Sequence, residues 1–182
     1  MSAVAVLGAG SWGTTLAVHL AGAGHEPRLW DHDRGHLDAM AAARENRKFL
    51  PGIALPPEVK VHAELEVALG RAEFTLFAVP SQAVRDVARR VRGAGGKSIP
   101  VCVAKGLELG TLKRMSEVLR ESLGDPDPVV LVGPSHAEEV SRGIPTSVVA
   151  AAMDERRARE VQVLCSTARF RVYTNDDVAG CE

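Results

Sequence analysis

The sequence lacks the features that mark secreted, membrane-spanning or nucleic-acid-binding chains. Only three of its 182 residues are cysteines, too few and too scattered for a disulfide framework or a zinc pair. Its 22 basic and 23 acidic residues leave a formal net charge of −1, without the basic excess expected of a nucleic-acid binder. No apolar run approaches the roughly 18 residues of a membrane helix, and the first residues do not resemble a signal peptide. We therefore expect a cytoplasmic protein with no nucleic-acid partner and no membrane span. Arg85, Arg89, Arg90 and Arg92 lie on one predicted helix, and we expect them to form a solvated face rather than a nucleic-acid site.

Aromatic residues are also scarce, at 4% of the chain, while the hydrophobic share is 46% and glycine occurs 17 times. This balance favours close-packed α/β layers over an aromatic-cored β-sandwich. A chain of 182 residues is long enough for one large domain.

His32 and His36 stand four residues apart, a spacing found in metal sites, but no third ligand is identifiable. We assign no metal.

Apolar runs of strand length alternate with amphipathic helical patterns along the chain. Runs that are apolar on both faces are typical of strands buried between two helix layers. The alternation predicts a doubly wound, mostly parallel Rossmann-type sheet with helices on both faces. Because proline is tolerated at the first residue of a strand and not within a central one, we begin the second strand after Pro27. The predicted strands are Ala3–Leu7, Arg28–Trp30, Phe74–Val79, Ile99–Ala104, Val129–Val132, Thr146–Ala151 and Phe170–Tyr173, with Val59–His62 a weaker candidate. The predicted helices are Trp12–Ala23, Arg34–Arg47, Gln82–Val91, Leu112–Leu123 and Asp154–Cys165.

A glycine-rich turn follows the first predicted strand and opens the first predicted helix. Its letters GAGSWG place Gly8, Gly10 and Gly13 in the G-x-G-x-x-G spacing of dinucleotide-binding sites. Gly8 permits the tight turn, Gly10 lets the backbone approach a pyrophosphate, and Gly13 allows the helix to pack closely on the strand. The free N–H groups at the helix start, including those of Ser11 and Trp12, favour a phosphate there. The motif in this context predicts a dinucleotide site.

An acidic residue stands where such a site binds the adenosine ribose. Asp31 ends the second predicted strand, 18 positions after Gly13, and a carboxylate there accepts hydrogen bonds from the ribose. Because its charge would repel a 2′-phosphate, we expect NAD to be preferred over NADP. The alternative is that Asp31 merely caps the next helix, for which Asp33 is better placed.

Three polar turns follow other predicted strands and should converge on the rim where open α/β sheets bind ligands. They are AVPS ending at Ser81, AKG with Lys105, and VGPSHAEE with Gly133, Ser135 and His136. Lys105 could bind a phosphate or polarise an oxygen. Ser135 begins the letters SHAE, which match a capping box, so we expect its hydroxyl to cap a helix that still offers N–H groups to an anion. His136 has no identifiable acid or serine partner, so we assign it no catalytic role.

Eight motifs follow one another along the whole chain: GAGSWGTTLA, LWDHD, FLPG, VPSQAVRDV, AKGLE, GPSHAEEV, GIPTSVV and FRVYTNDDVAG. In this order they resemble the bacterial type of NAD(P)-dependent glycerol-3-phosphate dehydrogenase. The resemblance implies a homodimeric oxidoreductase that interconverts dihydroxyacetone phosphate and sn-glycerol 3-phosphate in glycerophospholipid biosynthesis. Family members often have a small residue at the position of Asp31. The resemblance implies dinucleotide contacts by Ser11, Trp12, His32, Phe49 and Ala137, contacts of Lys105 with both cofactor and substrate, and substrate contacts by Gly133 and Ser135.

Members of this family continue past FRVYTNDDVAG with a segment that carries a catalytic lysine and then a helical substrate domain. We expect that lysine to lie beyond Glu182, so that residues 1–182 are the NAD(P)-binding Rossmann domain, contain no catalytic residue and bind dinucleotide without turnover. Two alternatives stay open. The chain could be a stand-alone NAD(H)-binding or redox-sensing module, or belong to another dehydrogenase of similar topology, such as a 3-hydroxyacyl-CoA or 6-phosphogluconate enzyme.

Overall fold

The computed structural model describes residues 1–125 and 127–182, and eight strands of this part of the chain form one sheet. The strands are β1 (Ala3–Leu7), β2 (Glu26–Trp30), β3 (Lys60–His62), β4 (Phe74–Phe77), β5 (Ile99–Cys102), β6 (Val129–Val132), β7 (Thr146–Ala151) and β8 (Phe170–Asn175). Their order across the sheet is β3-β2-β1-β4-β5-β6-β7-β8, and all neighbours are parallel except β6 and β7. The strand order changes direction between β1 and β4, which confirms the predicted doubly wound, mostly parallel sheet.

Helices cover both faces of this sheet. They are α1 (Ser11–Gly22), α2 (Arg34–Ala43), α3 (Leu65–Leu69), α4 (Val84–Gly93), α5 (Met115–Leu123), α6 (Ala137–Ser141), α7 (Glu155–Cys165) and α8 (Val178–Cys181). On β1, Val4 and Val6 belong to the core beneath α1, α2 and α7, while Ala5 and Leu7 belong to the core beneath α3, α4 and α5. The central strands β1, β4, β5 and β6 are buried on both faces, which explains their unbroken apolar runs. No helix in the described ranges is long and apolar enough to cross a membrane.

Pro27 lies inside β2, which corrects the expected start of that strand at Arg28. The strand begins at Glu26, and Pro27 is paired with β1. The N–H group of Glu26 donates toward the β1 side, so the nitrogen of Pro27, the next along the strand, faces the opposite side. There β3 begins only at Lys60, which is opposite Arg28. Proline is tolerated here because no residue of β3 lies opposite it to accept a hydrogen bond from its nitrogen.

Two helices are shorter than predicted because the backbone becomes left-handed at a residue inside each predicted span. Helix α2 ends at Ala43 rather than Arg47, since Arg44 has a φ of 50° and directs its guanidinium to carbonyl groups of the following loop. Helix α5 begins at Met115 because Leu112, the predicted start, has a φ of 57°.

The remaining differences concern the ends of elements and two short helices. Strands β4 and β5 end at Phe77 and Cys102, two residues before their predicted ends, and β8 extends beyond Tyr173 to Asn175. The sequence patterns do not predict α3 and α8, because segments of five and four residues are too short to establish a helical period.

Candidate functional site

A cleft of about 1010 Å³ lies at the carboxyl ends of the strands, beside the change of direction between β1 and β4. Its walls come from segments that follow β1, β2, β4, β5 and β6, the rim at which the sequence predicts a ligand. Ten residues assigned to the site from the sequence line it together: Gly8, Gly10, Ser11, Trp12, Asp31, His32, Phe49, Lys105, Ser135 and Ala137. The other two, Gly13 and Gly133, are not among the residues that line it.

Two glycines of the turn are required by packing. Gly8 has a φ of +112°, and a Cβ atom on it would lie 2.6 Å from the carbonyl oxygen of Ala78 in the segment after β4. A Cβ atom on Gly13 would lie 1.9 Å from the carbonyl oxygen of Gly8. Helix α1 can therefore begin this close to β1 only with glycine at both positions.

Gly10 and the first turn of α1 form the part of the cleft that can receive an anion. Gly10 is the N-cap residue, and a Cβ atom on it would meet nothing within 4 Å. The N–H groups of Ser11 and Trp12 belong to the first turn, where a helix has no acceptor of its own for them. The helix is 12 residues long, so its dipole adds a partial positive charge at this end. Open space in front of these donors is what a diphosphate requires.

The Asp31 carboxylate is attached to the glycine turn. Its Oδ2 accepts a hydrogen bond from the N–H group of Ala9 at 2.7 Å. Its Oδ1 accepts one from the N–H group of Asp33 at 3.1 Å and lies 2.9 Å from Nδ1 of His32. Asp33, as its spacing predicts, is the residue that caps α2, by accepting from the N–H group of His36 at 3.0 Å, and this bond lowers the pKa of Asp33. Asp31 is 16% exposed and lines the cleft.

A buried amide, which the sequence analysis missed, holds the same turn from another side. Asn46 is fully buried, and its Nδ2 donates to the carbonyl oxygen of Ala9 at 2.9 Å and to Oγ1 of Thr14 at 2.7 Å. Its Oδ1 accepts from the N–H group of Phe49 at 3.1 Å. Nε2 of His36 lies 3.2 Å from the same Ala9 oxygen. The peptide groups on both sides of Ala9 are thereby fixed. Asn46 lies in the segment between α2 and β3, where no periodic sequence pattern indicates such a role.

Phe49 supplies an apolar wall of the cleft. Its side chain is 43% exposed, and its ring stands edge-on to the ring of His36 with centroids 5.2 Å apart. Nζ of Lys48 lies 4.8 Å from the centre of the Phe49 ring. Both neighbours also line the cleft, although the sequence does not single them out for this site. A half-exposed ring beside open space is available to pack against a ligand.

Lys105 joins two of the polar turns at the rim. It follows β5, and its Nζ donates a hydrogen bond to the carbonyl oxygen of Gly133, which follows β6, at 3.1 Å. A Cβ atom on Gly133 would lie 3.0 Å from Cα of Val148 on β7, so this glycine is packed against the neighbouring strand. The exposed ammonium group of Lys105 adds a positive charge to the cleft wall.

The predicted capping box at Ser135 is wrong. Helix α6 begins at Ala137, and its N-cap is His136, whose side chain makes no capping hydrogen bond. The Ser135 hydroxyl instead donates to the carbonyl oxygen of Gly133 at 3.4 Å. The letters SHAE begin one residue too early for this helix, which leaves Ser135 on the cleft wall.

The loop after Lys105 is held by a cluster of ion pairs. Arg85 of α4 donates to Glu108 through two bonds of 2.7 and 2.8 Å and to Glu121 of α5 at 3.1 Å. The Arg85 guanidinium, aided by the hydroxyl of Thr111, lowers the pKa of Glu108 to about 2. Arg85 therefore connects two helices and the loop, which corrects the expectation of a solvated face at this residue.

Comparison with known proteins identifies the relatives of this chain. A family model described as the NAD-dependent glycerol-3-phosphate dehydrogenase N-terminus matches residues 3–158. The glycerol-3-phosphate dehydrogenase (NAD(P)+) of Desulfitobacterium hafniense (strain Y51) is 47% identical over 183 residues, which cover 100% of this chain and 52% of that protein. The enzyme of the same name from Chlorobium chlorochromatii (strain CaD3) is 49% identical over 184 residues, covering 98% and 55%. The chain spans about half the length of the curated relatives it matches.

Solved structures agree with this comparison. The crystal structure of glycerol-3-phosphate dehydrogenase from Coxiella burnetii aligns with a TM-score of 0.92 and 36% identity, covering 97% of this chain and 55% of that one. The corresponding enzyme of Saccharomyces cerevisiae aligns with a TM-score of 0.82 and 24% identity, covering 97% and 57%, which supports the fold alone.

Proposed function

The chain belongs to the NAD-dependent glycerol-3-phosphate dehydrogenase family, whose N-terminal domain it matches, and we propose that it binds NAD(H) or NADP(H) in the cleft at the rim of its sheet. One observation carries the proposal. The turn from Gly8 to Gly10 is held in a fixed shape by Asp31 and Asn46, the space at the Cβ position of Gly10 is open, and the first turn of α1 lines the cleft. A preformed donor set of this kind suits a diphosphate.

We assign different residues of the cleft to different parts of the dinucleotide. The backbone of the glycine turn binds the diphosphate, Asp31 and His32 lie at the adenosine ribose, and the Phe49 ring forms an apolar wall. The glycine turn and the backbone of Phe49 are held by Asp31 and Asn46, so little ordering of these segments is needed on binding. We propose cofactor contacts for Gly8, Gly10, Ser11, Trp12, Gly13, Asp31, His32, Phe49, Lys105 and Ala137, and substrate contacts for Lys105, Gly133 and Ser135.

We propose that the parent enzyme interconverts dihydroxyacetone phosphate and sn-glycerol 3-phosphate. A bound nicotinamide would supply or accept the hydride. The part of this chain in that reaction is to bind and orient, because hydride transfer requires two reactants aligned near contact distance. We propose that the Lys105 ammonium group binds a phosphate of the substrate or polarises an oxygen, and its hydrogen bond to the Gly133 carbonyl oxygen supports a fixed position for it. We assign no proton-transfer group to residues 1–182.

We propose that NAD(H) is preferred to NADP(H). Asp31 lines the cleft after β2, where a carboxylate accepts from the ribose hydroxyls and repels a 2′-phosphate. Both of its oxygens accept hydrogen bonds from backbone N–H groups, those of Ala9 and Asp33, which hold the carboxylate at this position.

We further propose that residues 1–182 form one NAD(P)-binding domain and that the parent enzyme is a cytoplasmic homodimer acting in glycerophospholipid biosynthesis. The two apolar cores share one sheet, which supports a single domain. Three free cysteines suit a reducing compartment. Family membership favours this reading over a stand-alone NAD(H) sensor or a 3-hydroxyacyl-CoA dehydrogenase.

Titration of the 182-residue chain with NADH tests the binding proposal, with Trp12 fluorescence as the signal. Gly10→Ala should weaken NADH binding about tenfold or more, because its methyl group would occupy the space of the diphosphate and break charge-assisted hydrogen bonds. Gly22→Ala is the matched control, since Gly22 lies at the far end of the same helix with nothing within 4 Å of a Cβ atom. Equal affinities of the two variants for NADH would overturn the proposal.

A further inference from the structure

Arg90 is a cleft residue that the glycine motif does not account for. It lies on α4 and lines the cleft, and its guanidinium carbon lies 4.9 Å from the centre of the Trp30 ring. Trp30 is buried, and its Nε1 donates to the carbonyl oxygen of Ala63 at 3.1 Å, so the ring is a fixed platform. Stacking on this platform holds the guanidinium beside the cleft.

Arg90 differs from the other arginines of its helix in its charge partners. Arg85 is paired with Glu108 and Glu121, and Arg89 lies 3.7 Å from Asp86. Within residues 1–125 and 127–182, no carboxylate lies within 4.0 Å of the Arg90 guanidinium. Its N–H donors are therefore available to a ligand, and a planar guanidinium matches the oxygens of a phosphate.

Trp30, over whose ring Arg90 lies, directly precedes Asp31, the residue proposed to bind the adenosine ribose. Trp30 ends β2, and Asp31 is the next residue. An acidic residue, Asp31, and a basic residue, Arg90, thus line the same cleft. His32, which also lines the cleft, lies 2.9 Å from Asp31, and its side chain is 83% exposed.

We propose that Arg90 binds the 2′-phosphate of NADP(H), an inference that rests on the proposed binding of a dinucleotide in this cleft. Asp31 disfavours the 2′-phosphate and Arg90 stabilises it, so the ratio of the NADPH and NADH affinities is set by both residues. Arg90 is then the specificity residue for the phosphorylated cofactor, while NADH does not need its charge.

Titrations of the chain with NADH and with NADPH test this inference. Arg90→Ala should raise the Kd for NADPH about tenfold, because one charge-assisted contact is lost. The same substitution should change the Kd for NADH less than about twofold. Arg90→Lys keeps the charge and should recover part of the NADPH affinity. Arg89→Ala, which removes a charge from the same helix outside the cleft, should change neither. Added salt should weaken NADPH binding more than NADH binding in the unmodified chain, and this difference should shrink in Arg90→Ala.

Three outcomes have separate meanings. Equal weakening of NADH and NADPH in Arg90→Ala would show that Arg90 packs on the shared adenosine, and would overturn the inference. Unchanged affinities for both would overturn it as well. Failure of the unmodified chain to bind either nucleotide would contradict the proposed function itself, and the role of Arg90 would fall with it.

Discussion

The side-chain amide of Asn46 donates a hydrogen bond to the carbonyl oxygen of Ala9 at 2.9 Å, so a buried residue of the connection between α2 and β3 fixes the middle of the glycine turn. The N–H group of Ala9 is held by Asp31 at 2.7 Å. The N–H group and the carbonyl group of Ala9 are therefore both held by side chains, those of Asp31 and Asn46, the farther of which lies 37 positions along the chain. A turn fixed in this way needs little reorganisation on binding a ligand.

Asn46→Asp should weaken binding of NAD+ at neutral pH by about tenfold and regain affinity at acidic pH. An ionised carboxylate cannot donate to the Ala9 carbonyl oxygen, whereas a protonated one can. Burial raises the pKa of such a carboxyl group, so the recovery should begin above the usual range of aspartate. Titrations from about pH 8 down to about pH 5 check this, with circular dichroism confirming a folded variant. A variant whose affinity has the same pH dependence as the unmodified chain would refute the positioning role.

Asp31→Asn should improve binding of NADPH and weaken binding of NADH modestly, because an amide accepts hydrogen bonds from the ribose hydroxyls more weakly than a carboxylate does. The amide oxygen can still accept from the N–H group of Ala9, while the charge that repels a 2′-phosphate is gone. We expect the ratio of the two dissociation constants to shift by about tenfold toward NADPH. Fluorescence titrations with both nucleotides measure it. If the unmodified chain already binds NADPH more tightly than NADH, the proposed preference is wrong.

Lys105→Ala should lower kcat/KM for dihydroxyacetone phosphate by about 10- to 100-fold in the proposed parent enzyme and change NADH affinity much less. The reason is that its ammonium group is proposed to contact the substrate phosphate. Lys97→Ala is the control, because Lys97 precedes β5 at the other end of the strand that Lys105 follows. Equal losses of substrate use and cofactor affinity in Lys105→Ala would contradict the assigned role.

The ion pairs at Glu108 predict acid sensitivity of the loop after Lys105. The pKa of Glu108 is lowered from 4.5 to about 2 by Arg85 and Thr111, so its contribution to stability is complete above about pH 4.5 and is lost as the pH falls toward 2. Denaturant unfolding between neutral pH and about pH 2.5 should give a smaller decline for Glu108→Gln than for the unmodified chain. Glu58→Gln, an exposed residue outside the cluster, should retain the full decline. Identical profiles for Glu108→Gln and the unmodified chain would exclude this contribution.

The centre of the sheet could be predicted because β1, β4, β5 and β6 are buried on both faces and form unbroken apolar runs in the sequence. The glycine turn could be predicted because Gly8 and Gly13 are required by close packing, which a spacing motif records. Asn46 and Arg90 were not predicted, because their roles depend on contacts with Ala9 and Trp30 that are made only when distant segments fold together. Such contacts have no period in the sequence.

The capping box at Ser135 shows the opposite failure, in which the letters match a motif that the fold does not use. Helix α6 begins after His136, and the Ser135 hydroxyl turns back to Gly133. Gly133, which precedes this turn, packs against β7, where a Cβ atom on it would lie 3.0 Å from Cα of Val148. A local pattern cannot contain that contact.

A crystal structure of this chain grown with NAD+ would locate the diphosphate of the bound nucleotide. We expect diphosphate oxygens about 3 Å from the backbone nitrogens of Ser11 and Trp12, in the space before Gly10. A nucleotide bound outside this cleft, or within it with the diphosphate away from those two nitrogens, would refute a dinucleotide site at the glycine turn.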